Sequence, residues 1–348
     1  MDEGEHTDGG ALDAALLGLH GTDAEFGGGL SNHGPMAAEA LEAMGHPDRI
    51  APFVAHYGRR LTPLVPGEPL PRGRWAHALG RVELRGSLVA SFVEELRVEE
   101  PARVLARSVA VLAPGVIGAA FHGVLRTAHA WRAWLRAPSE ARRVELAHGL
   151  AYWAARHQGL PGDPGRHAIA GRSPAAVLAA VPVVPTQGAG LILDRFAVLD
   201  GDAAFITAVE SYDPDALPVD AALDELLAAV AQAYLAAPTA RERFVFLHGI
   251  TSTSAVRTLL PALRPDDRVR LVAHQVAAIA AVQATHGRTD APPDTVVPAA
   301  VDWSSLAATA SRSRDDHTIK LVQACMHEAA RGASPLLGVV AQRRLAAE

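Results

Sequence analysis

The sequence predicts an all-α protein built as a single large multi-helix domain, and three observations support that prediction. Alanine is abundant and is accompanied by leucine, glutamate and arginine, which is the composition of a helical protein. Long segments place apolar residues at intervals of three and four and end at proline or glycine, whereas strand patterns are scarce. No long low-complexity linker divides the 348 residues, so one domain is favoured over two.

The apolar pattern assigns helices in order along the chain. Residues 1–30 are expected to form a flexible acidic tail that can hold one short helix, and residues 31–348 to form the helical domain. Segments dense in proline, glycine or aspartate, at 62–74, 159–173 and 289–298, are expected to be loops. The predicted helices span about 35–45, 47–61, 86–98, 101–112, 117–136, 139–158, 173–181, 219–236, 239–260, 265–286, 302–312 and 314–331.

Composition excludes several classes of protein. No stretch of about 18 apolar residues is present to form a transmembrane helix, and the acidic N-terminus does not resemble a secretory signal. A soluble cytoplasmic protein without membrane contact is therefore expected. The single cysteine, Cys325, excludes an intrachain disulfide and a cysteine-ligated metal site. A net charge of −6 with scattered arginines gives no electrostatic case for binding nucleic acid.

One lysine stands out among the basic residues. The 32 basic side chains are 31 arginines and Lys320, a bias typical of GC-rich coding sequence. A desolvated lysine amine can lose its proton and act as a nucleophile, which a guanidinium effectively cannot. The structural alternative is an ordinary partly exposed lysine paired with Asp316 at i, i+4, a role that arginine would fill equally well.

Four of the sixteen histidines lie in unusual local settings. Each has a structural alternative as a surface residue or a hydrogen-bonded core residue. Neutral imidazoles converging from several helices would form a cation site, which usually also needs an anionic oxygen ligand. A neutral lysine can supply one by taking up carbon dioxide to form a carbamate. The histidines are His33 at a helix entrance, His122 among small residues, His248 before four hydroxyl residues, and His317, three residues before Lys320.

The segments that carry these residues resemble the questin oxidase family. The resemblance covers most of the chain and implies a helical, non-haem iron-dependent oxygenase. It further implies that Fe(2+) is bound by four histidines and a carboxylated lysine, which match His33, His122, His248, His317 and Lys320. The segments are SNHGPMAAEALEAMG (31–45), FVAHYGRRL (53–61), PGVIGAAFHGVLRTAHA (114–130), FLHGITSTSAVR (246–257) and DDHTIKLVQA (315–324).

The resemblance implies an oxidoreductase of secondary metabolism, either a mono- or a dioxygenase. It would insert oxygen into, or cleave, a ring of a polycyclic aromatic ketone or quinone of the polyketide type, in a Baeyer–Villiger-like oxidation. Its partners would be that aromatic small molecule and dioxygen. Arg126 and Asp316 are the candidate catalytic side chains, and Arg126 is expected to pair with an enolate or phenolate unless it is a surface or capping residue. Fungal relatives carry a histidine near Arg126 that this chain lacks, and the reserve ligands are His129, His274 and His327.

Three other functions fit parts of the sequence. A di-iron bundle needs two Glu-x-x-His helices, but only Glu145 with His148 fits inside a predicted helix. A non-enzymatic helical small-molecule-binding protein would keep the histidines as core residues. A zinc-dependent hydrolase or lyase would use the carbamylated lysine together with an acidic base, which would be Asp302, Asp315 or Asp316.

The electron donor and the oligomeric state are left open. An NADPH requirement, attributed to some relatives, has no supporting motif. Gly188 and Gly190 begin a G-x-G pattern, but Leu193 stands where a dinucleotide-binding turn needs its third glycine. A homodimer is one option for the assembly.

Overall fold

The computed structural model describes residues 10–184, 192–287 and 301–348, and within them the all-α prediction is confirmed. In this part of the chain the one sheet is a two-stranded antiparallel hairpin, β1 (Glu25–Phe26) and β2 (Leu30–Ser31). The α-helices are α1 (Ala11–Leu19), α2 (Gly34–Ala43), α3 (Ile50–Tyr57), α4 (Arg85–Val98), α5 (Pro101–Leu112), α6 (His122–Arg136), α7 (Glu140–Ala155), α8 (Pro174–Ala180), α9 (Ala203–Glu210), α10 (Val219–Ala236), α11 (Ala240–Leu259), α12 (Pro265–His286), α13 (Trp303–Ala310), α14 (Asp316–Ala329) and α15 (Leu336–Leu345).

Most predicted helices agree with the observed bounds, but α6 begins later than expected. The predicted helix 117–136 starts at His122 in the structure, because Ala119, Ala120 and Phe121 have φ angles of 50°, 51° and 71°. These values lie in the left-handed region, which non-glycine residues rarely adopt and which a right-handed helix cannot contain. The sequence also missed α9 and α15.

The expected N-terminal tail is folded where the structure describes it. Residues 1–9 lie outside the described part, but α1 packs Leu12, Leu16 and Leu19 into the core, while Leu17 is exposed. Asp13 accepts a hydrogen bond from Arg142 Nε of α7 at 2.6 Å. Residues 10–30 therefore pack against the helical body, and α1 is the one short helix that the sequence allowed in this segment.

The central pair of helices is α6 and α7, and two glycines allow them to approach closely. A Cβ atom on Gly123 would lie 2.5 Å from the Cα of Trp153, and one on Gly149 would lie 2.8 Å from the Cα of Thr127. Helices α2 and α11 pack against α6, and α14 packs against both α2 and α11. The four helices α2, α6, α11 and α14 thus meet in the interior.

The remaining sequence predictions concern loops and membrane contact. The loop at 159–173 contains no helix or strand, whereas residues 185–191, with Gly188 and Gly190, and the whole loop 289–298 lie outside the described residues. Among the described helices, none combines the length and the apolar character that crossing a bilayer requires.

Replacing Gly123 with alanine should destabilise the fold by about 2 kcal/mol, because the added methyl group collides with backbone atoms of α7. The matched control is Gly18→Ala in α1, where a Cβ meets nothing within 4 Å. That change should stabilise the fold by up to about 1 kcal/mol through helix propensity. Urea denaturation measures both free energies of unfolding, and equal effects of the two substitutions would contradict the close approach of α6 and α7.

The metal-free protein should lose stability as the pH falls from about 6.5 to about 5. Burial, and to a smaller extent Arg270, lowers the pKa of His274 in α12 to about 4, so in this range the unfolded state binds a proton that the folded state does not. The cost is about 2 kcal/mol for this histidine at pH ~5. Urea denaturation of the chelator-treated protein at pH ~7 and pH ~5 should show a smaller loss of unfolding free energy for His274→Gln than for wild type. An equal loss in both proteins would contradict the role of His274 in this pH dependence.

Candidate metal centre

Four histidines from four helical segments meet in the interior. His33 directly precedes α2, His122 is the first residue of α6, His248 lies in α11, and His317 lies in the first turn of α14. The ring centroid of His33 lies 4.5 Å from that of His122 and 4.6 Å from that of His317. The ring of His248 lies 5.1 Å from that of His122 and 5.4 Å from that of His317. The structure therefore brings all four predicted histidines together.

Local structure explains why each histidine is held in place. The carboxylate of Asp315 caps α14 by accepting the backbone N–H of His317 at 2.8 Å. Helix α2 begins at Gly34, directly after His33, and has Pro35 in its first turn. The backbone N–H of His33 donates to the hydroxyl of Tyr57 at 2.8 Å. His122 follows the left-handed turn at 119–121. Strained backbone of this kind persists only where surrounding contacts enforce it and is common at functional sites.

The Nδ1 atom of every one of these rings faces an oxygen that can only accept a hydrogen bond. His33 Nδ1 faces the carboxylate of Asp316, and His317 Nδ1 lies 3.0 Å from the same oxygen. His122 Nδ1 faces the carbonyl of Ala119, and His248 Nδ1 faces that of Phe244 at 2.8 Å. Since carboxylates and carbonyls carry no proton to give, each Nδ1 must be the donor. The lone pair of each neutral ring is therefore on Nε2.

The Nε2 atoms lack adequate partners. His33 Nε2 and His122 Nε2 lie 2.7 Å apart, so two lone pairs face each other once both Nδ1 atoms are protonated. His317 Nε2 is buried without a hydrogen-bond partner. One ring nitrogen from each of these three histidines lies within 4.8 Å of the others. A cation among them would turn repelling lone pairs into ligands, so the donor set fits a metal ion that binds imidazole nitrogen.

Burial keeps the imidazoles of His33, His122 and His248 neutral, as metal binding requires. Burial, with a contribution from Lys320, lowers the pKa of His33 to about 3 despite the neighbouring Asp316. It also lowers the pKa of His122 and of His248 well below the ordinary value, reinforced by neighbouring histidines and Lys320. Protons therefore compete weakly for these nitrogens near neutral pH.

Asp316 and Lys320 complete the polar part of the cluster. Burial would raise the pKa of Asp316, but the adjacent His33 and His317 hold it well below its usual range. Lys320 is only 2% exposed, and its Nζ lies 3.9 Å from Asp316 Oδ1. Burial lowers the pKa of Lys320 to about 8, although Asp316 and Asp315 oppose the shift. The carboxylate of Asp316 thus contacts the Nδ1 atoms of two histidine rings and is not free to act as a base.

An apolar cavity of about 240 Å³ opens onto the cluster. All four histidines and Asp316 line it on one side. Hydrophobic side chains and backbone form the other walls, among them Phe26, Leu30, Ala119, Ala120 and Phe244. A mostly apolar cavity with a few convergent polar groups is typical of a site for a small organic molecule.

A second polar layer joins three of the site helices away from the cavity. Glu39 of α2 is buried and accepts hydrogen bonds from His129 Nδ1 at 2.7 Å and from Arg132 Nε at 2.8 Å, both in α6. Arg132 also donates to the Gln323 side chain of α14 at 2.9 Å. His129 therefore pairs with Glu39 and is not turned toward the histidine cluster.

The structure places Arg126 differently from the sequence prediction. Arg126 is fully buried and forms a two-point ion pair with Glu145 of α7, at 2.6 and 3.0 Å. It does not line the cavity, so its position does not suit pairing with a substrate anion. Two reserve ligands also lie elsewhere, since His274 lines a separate cavity with Asp163 and Arg270, and no contact joins His327 to the cluster in the described part of the chain.

Sequence reasoning missed the contributions of Tyr57 and Arg60. Both lie in the segment FVAHYGRRL, and both line the cavity. The spacing of three residues placed them on one helical face, which was the available signal.

Comparison with protein families finds one matching model, described as questin oxidase-like, over residues 186–325. This range holds His248, His317 and Lys320, whereas His33 and His122 lie before it. A search of curated proteins finds no match. At the level of the family, the match supports an oxidase, and so an oxidoreductase. It confirms the resemblance carried by the motifs: over residues 186–325, this chain is similar to the questin oxidase-like family.

Proposed function

We propose that this protein is a non-haem iron-dependent oxygenase that inserts oxygen into, or cleaves, a ring of a polycyclic aromatic ketone or quinone. The observation that carries the proposal is the common tautomer of the four histidines. Each Nδ1 donates to a fixed oxygen, which leaves each Nε2 available beside an apolar cavity. The questin oxidase-like match over residues 186–325 supports the same chemistry.

His33, His122, His248, His317 and Lys320 would hold the Fe(2+). In such a site the ion activates dioxygen and acts as a Lewis acid on the substrate carbonyl. The chain's own contribution is to orient the ligands before the ion arrives. Hydrogen bonds to Nδ1 fix the tautomer and the ring orientation of metal-ligating histidines and raise their basicity.

Lys320 would supply the anionic ligand as a carbamate. In this step the neutral amine forms a bond from Nζ to the carbon of carbon dioxide, one carbon–oxygen π bond opens and one N–H proton is released, so that a neutral group becomes an anion. Burial favours the neutral amine by lowering the pKa of Lys320 to about 8. Arginine at this position could not react in this way.

The cavity would hold the substrate. Phe26, Leu30 and Phe244 offer apolar surface to a flat ring system, and a dry cavity strengthens every electrostatic contact made inside it. Asp316 would act as a positioning residue, because it accepts a hydrogen bond from His33 Nδ1 and lies 3.0 Å from His317 Nδ1.

Substituting Lys320→Arg should abolish iron retention and oxygenase activity while the protein stays folded. Arginine preserves the positive charge beside Asp316, so a purely structural lysine would be replaced without loss. Iron content by elemental analysis and circular dichroism measure the two effects. The control is His327→Gln, because His327 lies in the same helix but outside the histidine cluster. This variant should retain iron. An iron-loaded Lys320→Arg protein would contradict the role of the lysine.

Substituting Asp316→Asn should weaken metal binding by about 10- to 100-fold, the usual effect of removing a hydrogen-bond acceptor behind a histidine ligand. Asp316 contacts the rings of His33 and His317, whereas the neighbouring Asp315 contacts one ring of the site, at His317 Nδ1. Asp315→Asn is therefore the matched control and should cost less. Competition with a chelator gives both affinities, and a larger effect at Asp315 would refute the proposed division of roles.

The reaction class is tested by metal analysis of anaerobically purified protein together with oxygen consumption. We expect iron, and oxygen use that depends on an aromatic ketone or quinone. Zinc without oxygen consumption would overturn the oxygenase and favour a hydrolase.

A further inference from the structure

The mouth of the cavity carries a guanidinium without an acidic partner. Arg60, which ends the short helical turn after α3, lines the cavity. Its Cζ atom lies 4.2 Å from the ring centroid of Tyr57 and 5.9 Å from that of Phe26. Across the described residues, no carboxylate forms an ion pair with Arg60. Two aromatic rings therefore hold this charge at the entrance, and none of the carboxylates that the structure describes pairs with it.

The other arginine of the cavity is already engaged. Arg156 donates through Nε to Glu25 Oε1 at 2.7 Å and through a second nitrogen to Glu25 Oε2. Arg85 also approaches Glu25, at 3.6 Å, while it pairs with Asp23 at 2.9 Å. The charge of Glu25 is thus fully met. Among the described arginines that line the cavity, Arg60 is therefore the one whose charge meets no carboxylate.

Arg60 is also connected to the histidine cluster. Tyr57 lies under its guanidinium and accepts the backbone N–H of His33 at 2.8 Å. The guanidinium and the histidines therefore belong to one continuous wall, with apolar surface from Phe26 and Leu30 beside it. A ligand that fills the cavity with a flat ring would present its outer substituent to Arg60.

We propose that Arg60 is a specificity-determining residue, and that the cavity takes an aromatic molecule bearing an acidic group, whose anion pairs with this guanidinium. Planar guanidinium groups match carboxylates in two-point hydrogen bonds, and such pairs are strong when partly desolvated. This role replaces the one predicted for Arg126, whose guanidinium is bound to Glu145. The inference rests on the proposed function in taking this cavity as the substrate site.

The test compares two probes of the same shape, 2-naphthoate and 2-naphthamide, which differ in charge. The purified full-length protein is titrated with each probe by calorimetry, and the metal content of every sample is measured. We expect wild type to bind the acid about tenfold more tightly than the amide, a difference of about 1.4 kcal/mol. Raising the salt concentration from about 0.05 M to about 0.5 M should weaken binding of the acid and leave binding of the amide unchanged.

Three variants identify the source of the preference. Arg60→Gln should reduce it to within about twofold with no loss of amide affinity, and Arg60→Lys should keep part of it. Arg59→Gln is the matched control, since Arg59 lies in the same turn but does not line the cavity; it should keep the whole preference. Equal binding of both probes, or binding of neither, by wild type would overturn the proposal.

Three further outcomes separate this inference from the proposed function. A preference for the acid that persists in Arg60→Gln would locate the anion elsewhere and refute the role of Arg60. A parallel loss of affinity for both probes in Arg60→Gln would make the residue merely structural and would also refute it. Loss of the preference in Arg60→Gln, in a protein that never consumes oxygen, would support the anion site and overturn only the oxygenase.

Discussion

The arrangement of the site depends on one carboxylate, that of Asp316. It accepts a hydrogen bond from His33 Nδ1 and lies 3.0 Å from His317 Nδ1, and so joins the entrance of α2 to the first turn of α14. Without it, the buried N–H group of His33 would lack an acceptor, and such groups are costly in an apolar interior. The two rings would also be free to turn. Because the same histidines keep its pKa low, Asp316 stays an acceptor and cannot become a donor.

The remaining two rings are held by the backbone, which makes their orientation independent of any acidic side chain. His248 uses the carbonyl of Phe244, one turn earlier in α11, and His122 uses the carbonyl of Ala119. The left-handed turn at 119–121 places the Ala119 carbonyl against the ring, although this carbonyl also accepts the backbone N–H of His122 at 3.2 Å. The unusual backbone and the tautomer of His122 are thus linked.

The sequence predicted the four histidines that meet in the structure, but not the groups that hold them in place. Helical periodicity and the histidine segments brought His33, His122, His248 and His317 into one hypothesis, and the single lysine directed attention to Lys320. The role of Arg126 could not be foreseen, because its partner Glu145 lies on another helix and only tertiary packing joins them. The start of α6 was missed for a related reason: alanine and phenylalanine have no propensity for left-handed backbone, and the fold imposes it.

The sequence positions of the ligands also limit when the centre can form. His33, His122, His248 and His317 are separated by 69 to 126 residues, and each belongs to a different helix. Contacts between such distant residues appear only after the long intervening loops have closed. The proposed ion would then enter a nearly finished fold through the cavity, whereas zinc nucleates the fold of a small finger domain. The segment 186–325, excised alone, would carry half of the histidines and none of the wall formed by α2 and α6, so the centre is a property of the whole helical domain.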